Sequence, residues 1–399
     1  MSEKSSPDIK VDVIDGMELE LSASQLPSKE NVNQQSEKAQ PEKQKTTVSM
    51  INFYVISIGY LVFTLTDSAL RMVVLFELYK RHYDAFQISL ALASYEFLGV
   101  ITNLVGGIIG DRHGLRSCLL IGLSTQIIGI AILSGLQAEW SREFTIIYIA
   151  IAQGLCGVAK DMVKSVGKSV TKLVVEEDAK DKLFKLVAWL TGAKNSVKGF
   201  GFFFGAFLQE LMEYKYSQIV LLGLNLLIVP FAWRFVDHHL GESKSKKKLT
   251  FREIFDKGRN VNILSLARMF LFCSRDLWFE VPLPVFLRGP AEWKYITTGS
   301  VLAAWVIFYG AVQSSTPQLI LKPINLYPVK NAYCNRDKVA MNVGFYYMAN
   351  AMGRLTGLLV GGALYQYYDN NLVSCLWASA VSLGICMIIS VFLGPIPTS

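Results

Sequence analysis

Long apolar stretches alternate with short polar stretches from Ile51 almost to the end of the chain. A helix needs about 20 mostly apolar residues to cross the hydrocarbon core of a bilayer. Ten stretches have this length and character: 51–79, 85–110, 117–137, 144–164, 183–212, 217–236, 260–287, 295–319, 339–366 and 372–393. Their apolar runs are continuous rather than alternating, which favours helices over strands. The pattern therefore predicts an all-α, polytopic membrane protein.

Composition agrees with this prediction and separates one segment from the rest. The chain is 52% hydrophobic and only 18% charged, whereas a soluble domain is about one quarter charged. Residues 1–49 hold six lysines, nine acidic residues and no aromatic residue. Such a segment cannot bury enough apolar surface to fold, so we expect a disordered polar tail over 1–49.

The net charge of +7 comes largely from basic loops between alternate predicted spans. These basic residues are Arg112, Arg116, Lys168, Lys172, Lys180, Lys182, Lys185, Lys244, Lys246, Lys247, Lys248, Arg252, Lys257 and Arg259. Basic loops face the cytoplasm in membrane proteins, and the tail lies on the same side. We therefore expect a cytoplasmic N-terminus and no nucleic-acid partner. The membrane that we expect is the plasma membrane.

The spans divide into two halves that carry matching charges. Span one contains the acid Asp67 with a second charge, Arg71, four residues later. Span seven repeats this pattern with the acid Asp276 and the charge Glu280. A second pair of matching segments is Asn195–Lys198 and Asn350–Arg354. Transporter halves often arise by such duplication. The predicted domains are a six-helix bundle over 50–236, a basic cytoplasmic loop over 237–259 and a second bundle over 260–399.

The second bundle is shorter than the repeat requires. Asp67 and Lys198 are 131 positions apart, but Asp276 and Arg354 are only 78 apart, a difference of 53. That is about two spans with their loops. We therefore expect twelve spans, with the ninth and tenth absent at a gap near 320–338. Either the match is chance, or the chain is an isoform or the product of a faulty gene model, and then it can be non-functional.

One loop carries a recognisable signature. The segment between spans two and three reads Gly107-Ile-Ile-Gly-Asp111-Arg112-His-Gly114-Leu-Arg116. It resembles the loop signature of the major facilitator superfamily, with Leu at the first of two basic positions. The resemblance implies a secondary transporter with two six-helix bundles, in which this gating loop latches one closed state.

A narrower resemblance covers most of the membrane region. It rests on the segments Phe63–Arg71, Tyr95–Gly107, Gly157–Asp161, Leu190–Gly199, Ala267–Phe272, Arg275–Phe279 and Asp337–Asn350. These look like the organoarsenical efflux permeases of that superfamily. The resemblance implies export of 1-arseno-3-phosphoglycerate, which glyceraldehyde-3-phosphate dehydrogenase forms when arsenate replaces phosphate. It therefore implies arsenate resistance and a functional link to that dehydrogenase.

Ionisable residues within spans are expensive and usually face a polar cavity. We expect an anionic substrate to bind at the cations and one amide of the spans: Arg71, Lys160, Lys194, Asn195, Lys198, Arg275 and Arg354. The candidate proton carriers are the acids Asp67, Glu96, Asp276 and Glu280. Asp67 and Arg71 can pair on one helix, whereas Lys194 and Lys198 have no acid in register and need a counter-ion from another span or from the substrate.

Other functions fit the sequence less well. The histidines lie at span ends and no CxxC pair occurs, so we expect neither a metal site nor a cofactor. An enzyme would need a nucleophile or metal cluster in the spans, and none is visible, so we expect no catalytic residues. The rival within transport is a carrier of sugar phosphates or of phosphate.

Overall fold

The computed structural model describes residues 50–174, 180–237, 240, 258–316 and 339–394. The predicted tail over 1–49, most of the basic loop and the predicted gap lie outside these described residues. Within them, the helices are α1 Met50–Lys80, α2 Ala85–Ser134, α3 Arg142–Val174, α4 Lys180–Leu211, α5 Tyr214–Phe235, α6 Arg259–Asp276, α7 Pro282–Arg288, α8 Tyr295–Thr316, α9 Val339–Tyr367 and α10 Leu372–Val391.

Helix α2 contains both the second and the third predicted spans. It begins at a capping box, in which the Asp84 carboxylate accepts a hydrogen bond from the Gln87 amide at 2.8 Å and the Gln87 side chain accepts one from the Asp84 amide. Gly114 interrupts it with φ 72° and ψ 159°. Only glycine adopts such a left-handed φ without strain, so Gly114 makes the kink that separates the two spans.

The seventh predicted span is not one helix, as the sequence suggested, but two. Helix α6 ends at Asp276 and α7 begins at Pro282. Proline favours the first turn of a helix because it has no amide hydrogen to leave unpaired. Asp276 is the last residue of α6, and Glu280 lies within the break between the two helices.

Six helical segments of the described residues are long and apolar enough to cross a membrane. They are Ala85–Asn103, Gly114–Ser134, Arg142–Gly167, Tyr214–Phe235, Tyr295–Val312 and Leu372–Val391. Helices α1, α4, α6 and α9 are not among them, and these are helices that carry intramembrane charges such as Arg71, Lys198, Arg275 and Arg354. The multi-pass helical architecture is confirmed, and the count of ten spans stays a prediction.

The two halves of the chain meet along two helix pairs. Helix α2 packs against α9, and α4 packs against α8. Helix α1 packs against α3, α4 and α5 within the N-terminal half, and α6 packs against α9 and α10 within the C-terminal half. Charged side chains from α1, α2, α3, α6 and α9 therefore come together where the halves meet.

Candidate functional site

Glu96 on α2 is the centre of a buried ionic cluster. Its carboxylate lies 2.8 Å from Nη2 of Arg354, 3.4 Å from Nη2 of Arg71 and 3.5 Å from Nζ of Lys160. The Glu96 side chain is only 2% exposed. Its three cations come from α9, α1 and α3, so one acid joins three helices, one of which belongs to the other half of the chain.

A second acid, Glu280, extends the cluster into the C-terminal half. One of its oxygens lies 3.5 Å from Nη1 of Arg71, and the other lies 3.9 Å from Nη2 of Arg275. Arg275 also donates a hydrogen bond of 2.5 Å from Nε to Asp276. Arg71 therefore bridges Glu96 and Glu280, one acid from each half. Buried charges are tolerated when they are paired in this way.

Tyr95 organises the N-terminal side of the cluster, and the sequence did not assign it a role. Its ring lies 4.0 Å from Nζ of Lys160 and 4.4 Å from the guanidinium carbon of Arg71. Its hydroxyl donates a 2.5 Å hydrogen bond to Asp67. The position is held by close approach of α3, since a Cβ at Gly157 would lie 3.0 Å from Cα of Tyr95. The adjacent Glu96 was the available signal, but an aromatic residue within an apolar run is ordinary.

The pair expected between Asp67 and Arg71 on α1 does not form. Arg71 points to the two acids at the contact between the halves, and Asp67 accepts its hydrogen bond from Tyr95. The other oxygen of Asp67 is buried and has no hydrogen-bond partner. Across the described ranges, no cation lies within 4.0 Å of Asp67. It differs in this from Glu96, Asp276 and Glu280.

The predicted cations of α4 lie beside this cluster. Lys198 is half-buried, with Nζ 5.4 Å from the centre of the Phe202 ring. In the part of the chain that the structure describes, no carboxylate lies within 4.0 Å of its ammonium. The Glu280 carboxylate is an acid that attracts its charge. Lys194, one turn earlier, is half-buried and in contact with neighbouring groups. Asn195 faces Gly310 of α8.

The repeat aligns Arg354 with Lys198. In the structure Arg354 is paired with Glu96 at 2.8 Å, and its role in substrate binding stays a prediction. The sequence could not show the pairing, since residues 96 and 354 lie far apart in the chain.

Part of the predicted gating loop is described. For Gly107, Asp111 and Arg112 the structure describes only the backbone, which belongs to α2. Arg116 is buried, donates a hydrogen bond to the carbonyl of Trp233 and approaches the Trp233 ring at 5.9 Å. Together with the kink at Gly114, this contact fixes the start of the third predicted span against the end of α5.

The family of the chain follows from a sequence comparison. The family model described as the Major Facilitator Superfamily matches residues 56–330. The chain belongs to this superfamily. A search of curated proteins finds no match. The charged cluster therefore lies in a transporter of the major facilitator type, between its two halves.

Solved structures of several transporters share this fold. The nucleoside transporter NupG, solved as a point mutant, has a TM-score of 0.58 at 13% identity, covering 86% of this chain and 98% of that one. A bacterial homologue of the human drug peptide transporters PepT1 and PepT2 has a TM-score of 0.61 at 12% identity, covering 86% and 98%. A mutant of the peptide transporter POT in complex with sulfate has a TM-score of 0.60 at 9% identity, covering 89% and 98%. At such identities the likeness is one of fold.

Proposed function

We propose that this protein is a secondary active transporter that exports a small phosphorylated organic anion, 1-arseno-3-phosphoglycerate, and so confers resistance to arsenate. The observation that carries the proposal is the sharing of Glu96 by cations from three helices, with Lys198 close by. The resemblance to organoarsenical efflux permeases supplies the identity of the anion. The proposal locates the transporter in the plasma membrane, with the N-terminus on the cytoplasmic side, as the basic loops predict.

An anionic substrate binds by taking the place of Glu96 as the partner of its cations. Arginine forks match phosphate, arsenate and carboxylate groups through two parallel hydrogen bonds, and lysine acts as a point charge. Arg354 and Arg71 offer forks, while Lys160 and Lys198 offer point charges. The proposed substrate has three anionic groups, so each can meet a different cation.

The same exchange of partners couples binding to opening. Arg354 and Glu280 belong to the C-terminal half, and their partners Glu96 and Arg71 belong to the N-terminal half. These pairs hold the halves together in the present arrangement. A substrate that competes for Arg354 or Arg71 weakens them, and substrate sites of such transporters lie between the halves near the midplane. Binding energy is thereby available for rearranging the halves.

A carrier of sugar phosphates or inorganic phosphate is the second candidate. It is favoured by the same arginines, because any phosphoryl group fits them. One structurally similar transporter was solved with sulfate, an anion of the same shape. Efflux of radiolabelled sugar phosphate, phosphate and arsenate ester from vesicles separates the two functions.

Arsenate tolerance tests the primary proposal. A version of this chain with the missing spans restored is expressed with glyceraldehyde-3-phosphate dehydrogenase in cells that lack arsenate efflux. We expect tolerance to arsenate to rise and tolerance to arsenite to stay unchanged, because arsenite cannot form the ester. The matched controls are Lys198→Gln, which should remove the protection, and the exposed Lys215→Gln, which should keep it. Equal protection against both arsenic species would refute the proposal.

A further inference from the structure

A second group of cations lies apart from the Glu96 cluster. Arg268 on α6 donates from Nε to the Asn350 side chain at 2.6 Å and from Nη1 to the Tyr346 hydroxyl. Its guanidinium lies 4.3 Å from the centre of the Tyr346 ring. Lys164 on α3 lies 4.9 Å from the centre of the Tyr347 ring, and the rings of Tyr346 and Tyr347 meet edge to face at 5.8 Å. We call Arg268, Lys164, Tyr346, Tyr347 and Asn350 the outer group.

The residues of the outer group lie on the same faces of α3, α6 and α9 as the residues of the central cluster. Lys164 follows Lys160 by four residues, and Arg268 precedes Arg275 by seven. On α9, Asn350 and Tyr347 precede Arg354 by four and seven residues. Residues spaced by one or two turns share a face of a helix. On all three helices the outer group is therefore displaced from the central cluster in the same direction. This direction is toward the N-terminal end of α6, which follows the basic loop over 237–259.

The two cations of the outer group have no close acidic partner among the described residues. Among the residues that the structure describes, no carboxylate lies within 4.0 Å of Arg268 or Lys164. Their partners are an amide, a phenol and aromatic rings, which orient a cation without neutralising it. Both side chains are half-buried, where an ionised group without a counter-ion is costly. An anion that enters this place therefore gains two partners.

We propose that the outer group is a second anion site on the cytoplasmic side of the central cluster, taking a phosphate-sized oxyanion before it reaches Glu96. The second Nη of Arg268 and the ammonium of Lys164 supply the donors. The identification of the natural anion rests on the proposed function, but the presence of an oxyanion site does not.

Direct binding of inorganic phosphate tests the site without any transport measurement. The purified 399-residue chain is titrated with radiolabelled phosphate in equilibrium dialysis. We expect Arg268→Gln and Lys164→Gln each to weaken one class of phosphate sites by about tenfold, the effect of losing one charge-assisted contact. Arg268→Lys should recover most of the loss. The matched control is Arg288→Gln, since Arg288 also stacks on a tyrosine, Tyr295, but at the end of α7.

Each outcome decides the proposal. Phosphate binding in the wild-type chain that Arg268→Gln leaves unchanged, or an absence of phosphate binding, overturns it. If Arg268→Gln fails to fold by gel filtration, Lys164→Gln decides, because Lys164 makes no contact that joins α6 to α9; unchanged affinity in that variant overturns the site. Failure of arsenate protection with phosphate binding intact would refute the proposed function and leave the outer site standing.

Discussion

Arg71 and Glu280 occupy corresponding positions in the two halves of the chain, and their side chains lie 3.5 Å apart. Each stands four residues after an acid, Asp67 in the first half and Asp276 in the second. Opposite charges thus stand at the positions that the predicted repeat makes equivalent, and the two side chains meet where the halves meet.

Neutralising both Arg71 and Glu280 should lower the free energy of unfolding by less than the sum of the two single substitutions. Breaking a buried pair by removing one partner costs about 3–5 kcal/mol, because the other charge stays buried and uncompensated. We expect Arg71→Gln/Glu280→Gln to be more stable than the sum of the singles, with a coupling of roughly 1 kcal/mol or more. Thermal unfolding in detergent measures it. Arg71→Gln combined with the exposed Glu143→Gln should be additive, and additivity of the buried pair would contradict the contact.

The predicted substrate cations should be required for transport rather than for insertion. We expect Lys194→Gln, Lys198→Gln and Arg354→Gln each to abolish export while the protein still reaches the membrane. Lys198→Arg should be tolerated better than Lys198→Gln, because it keeps the charge. Vesicle efflux and membrane fractionation measure the two properties. Loss of the protein, instead of loss of its transport, would indicate that these side chains only support the fold.

Asp67 should carry the coupling proton, if protons drive export. It is the predicted carrier without an ion pair in the described part of the chain. It accepts a hydrogen bond from Tyr95 on α2, and the cations that act on it are Arg71 on α1, Lys160 on α3 and Lys198 on α4. We expect Asp67→Asn to exchange substrate without dependence on pH. The measurement is substrate exchange and net efflux in proteoliposomes over a range of pH.

Two companion variants make the Asp67 test specific. Tyr95→Phe removes the hydrogen bond to the Asp67 carboxylate, which destabilises its ionised form, so the pH of half-maximal transport should move upward. The control is Asp161→Asn, because Asp161 is equally buried but accepts hydrogen bonds from Thr102 and Asn103. An unaltered pH dependence in Asp67→Asn would exclude this residue as the carrier.

The 399-residue chain should integrate into membranes without transporting. In the twelve-span prediction the chain lacks two spans. Because this is an even number, the spans that follow would keep their orientation, but the wall of the second half would be incomplete. Restoring about 53 residues between Leu321 and Asp337, a length of about two spans with their loops, should rescue efflux. Insertion is measured by alkaline extraction and transport by vesicle efflux. Robust efflux by the chain as it stands would refute the twelve-span prediction.

Periodicity and local motifs predicted the helices better than they predicted the site. The apolar runs located α1, α5, α8, α9 and α10 to within a few residues of their ends, because burial in lipid requires long apolar helices. The break between α6 and α7 was missed, because the mostly apolar run over 260–287 was interpreted as one span although Pro282 and Pro284 favour the start of a new helix.

Pairing within the site could not be read from the chain. Local spacing suggested that Arg71 would pair with Asp67, four residues away. Its partner Glu96 is instead 25 positions away, and its partner Glu280 lies in the other half of the chain. Long-range contacts depend on how helices from both halves pack, and a single sequence does not encode them in any local pattern. The roles of the site residues therefore stay predictions.

Because three cations share Glu96, a substitution at Glu96 leaves a different set of charges behind than a substitution at any one of its partners. A change at Arg71, Lys160 or Arg354 leaves an acid that still has two cations. A change at Glu96 leaves Arg71, Lys160 and Arg354 without their shared acid, and like charges repel more strongly inside a protein than in water. In homologous chains we therefore expect Glu96 to be substituted only where its partners on α1, α3 and α9 have been substituted as well. The evolution of these three helices is coupled through one carboxylate.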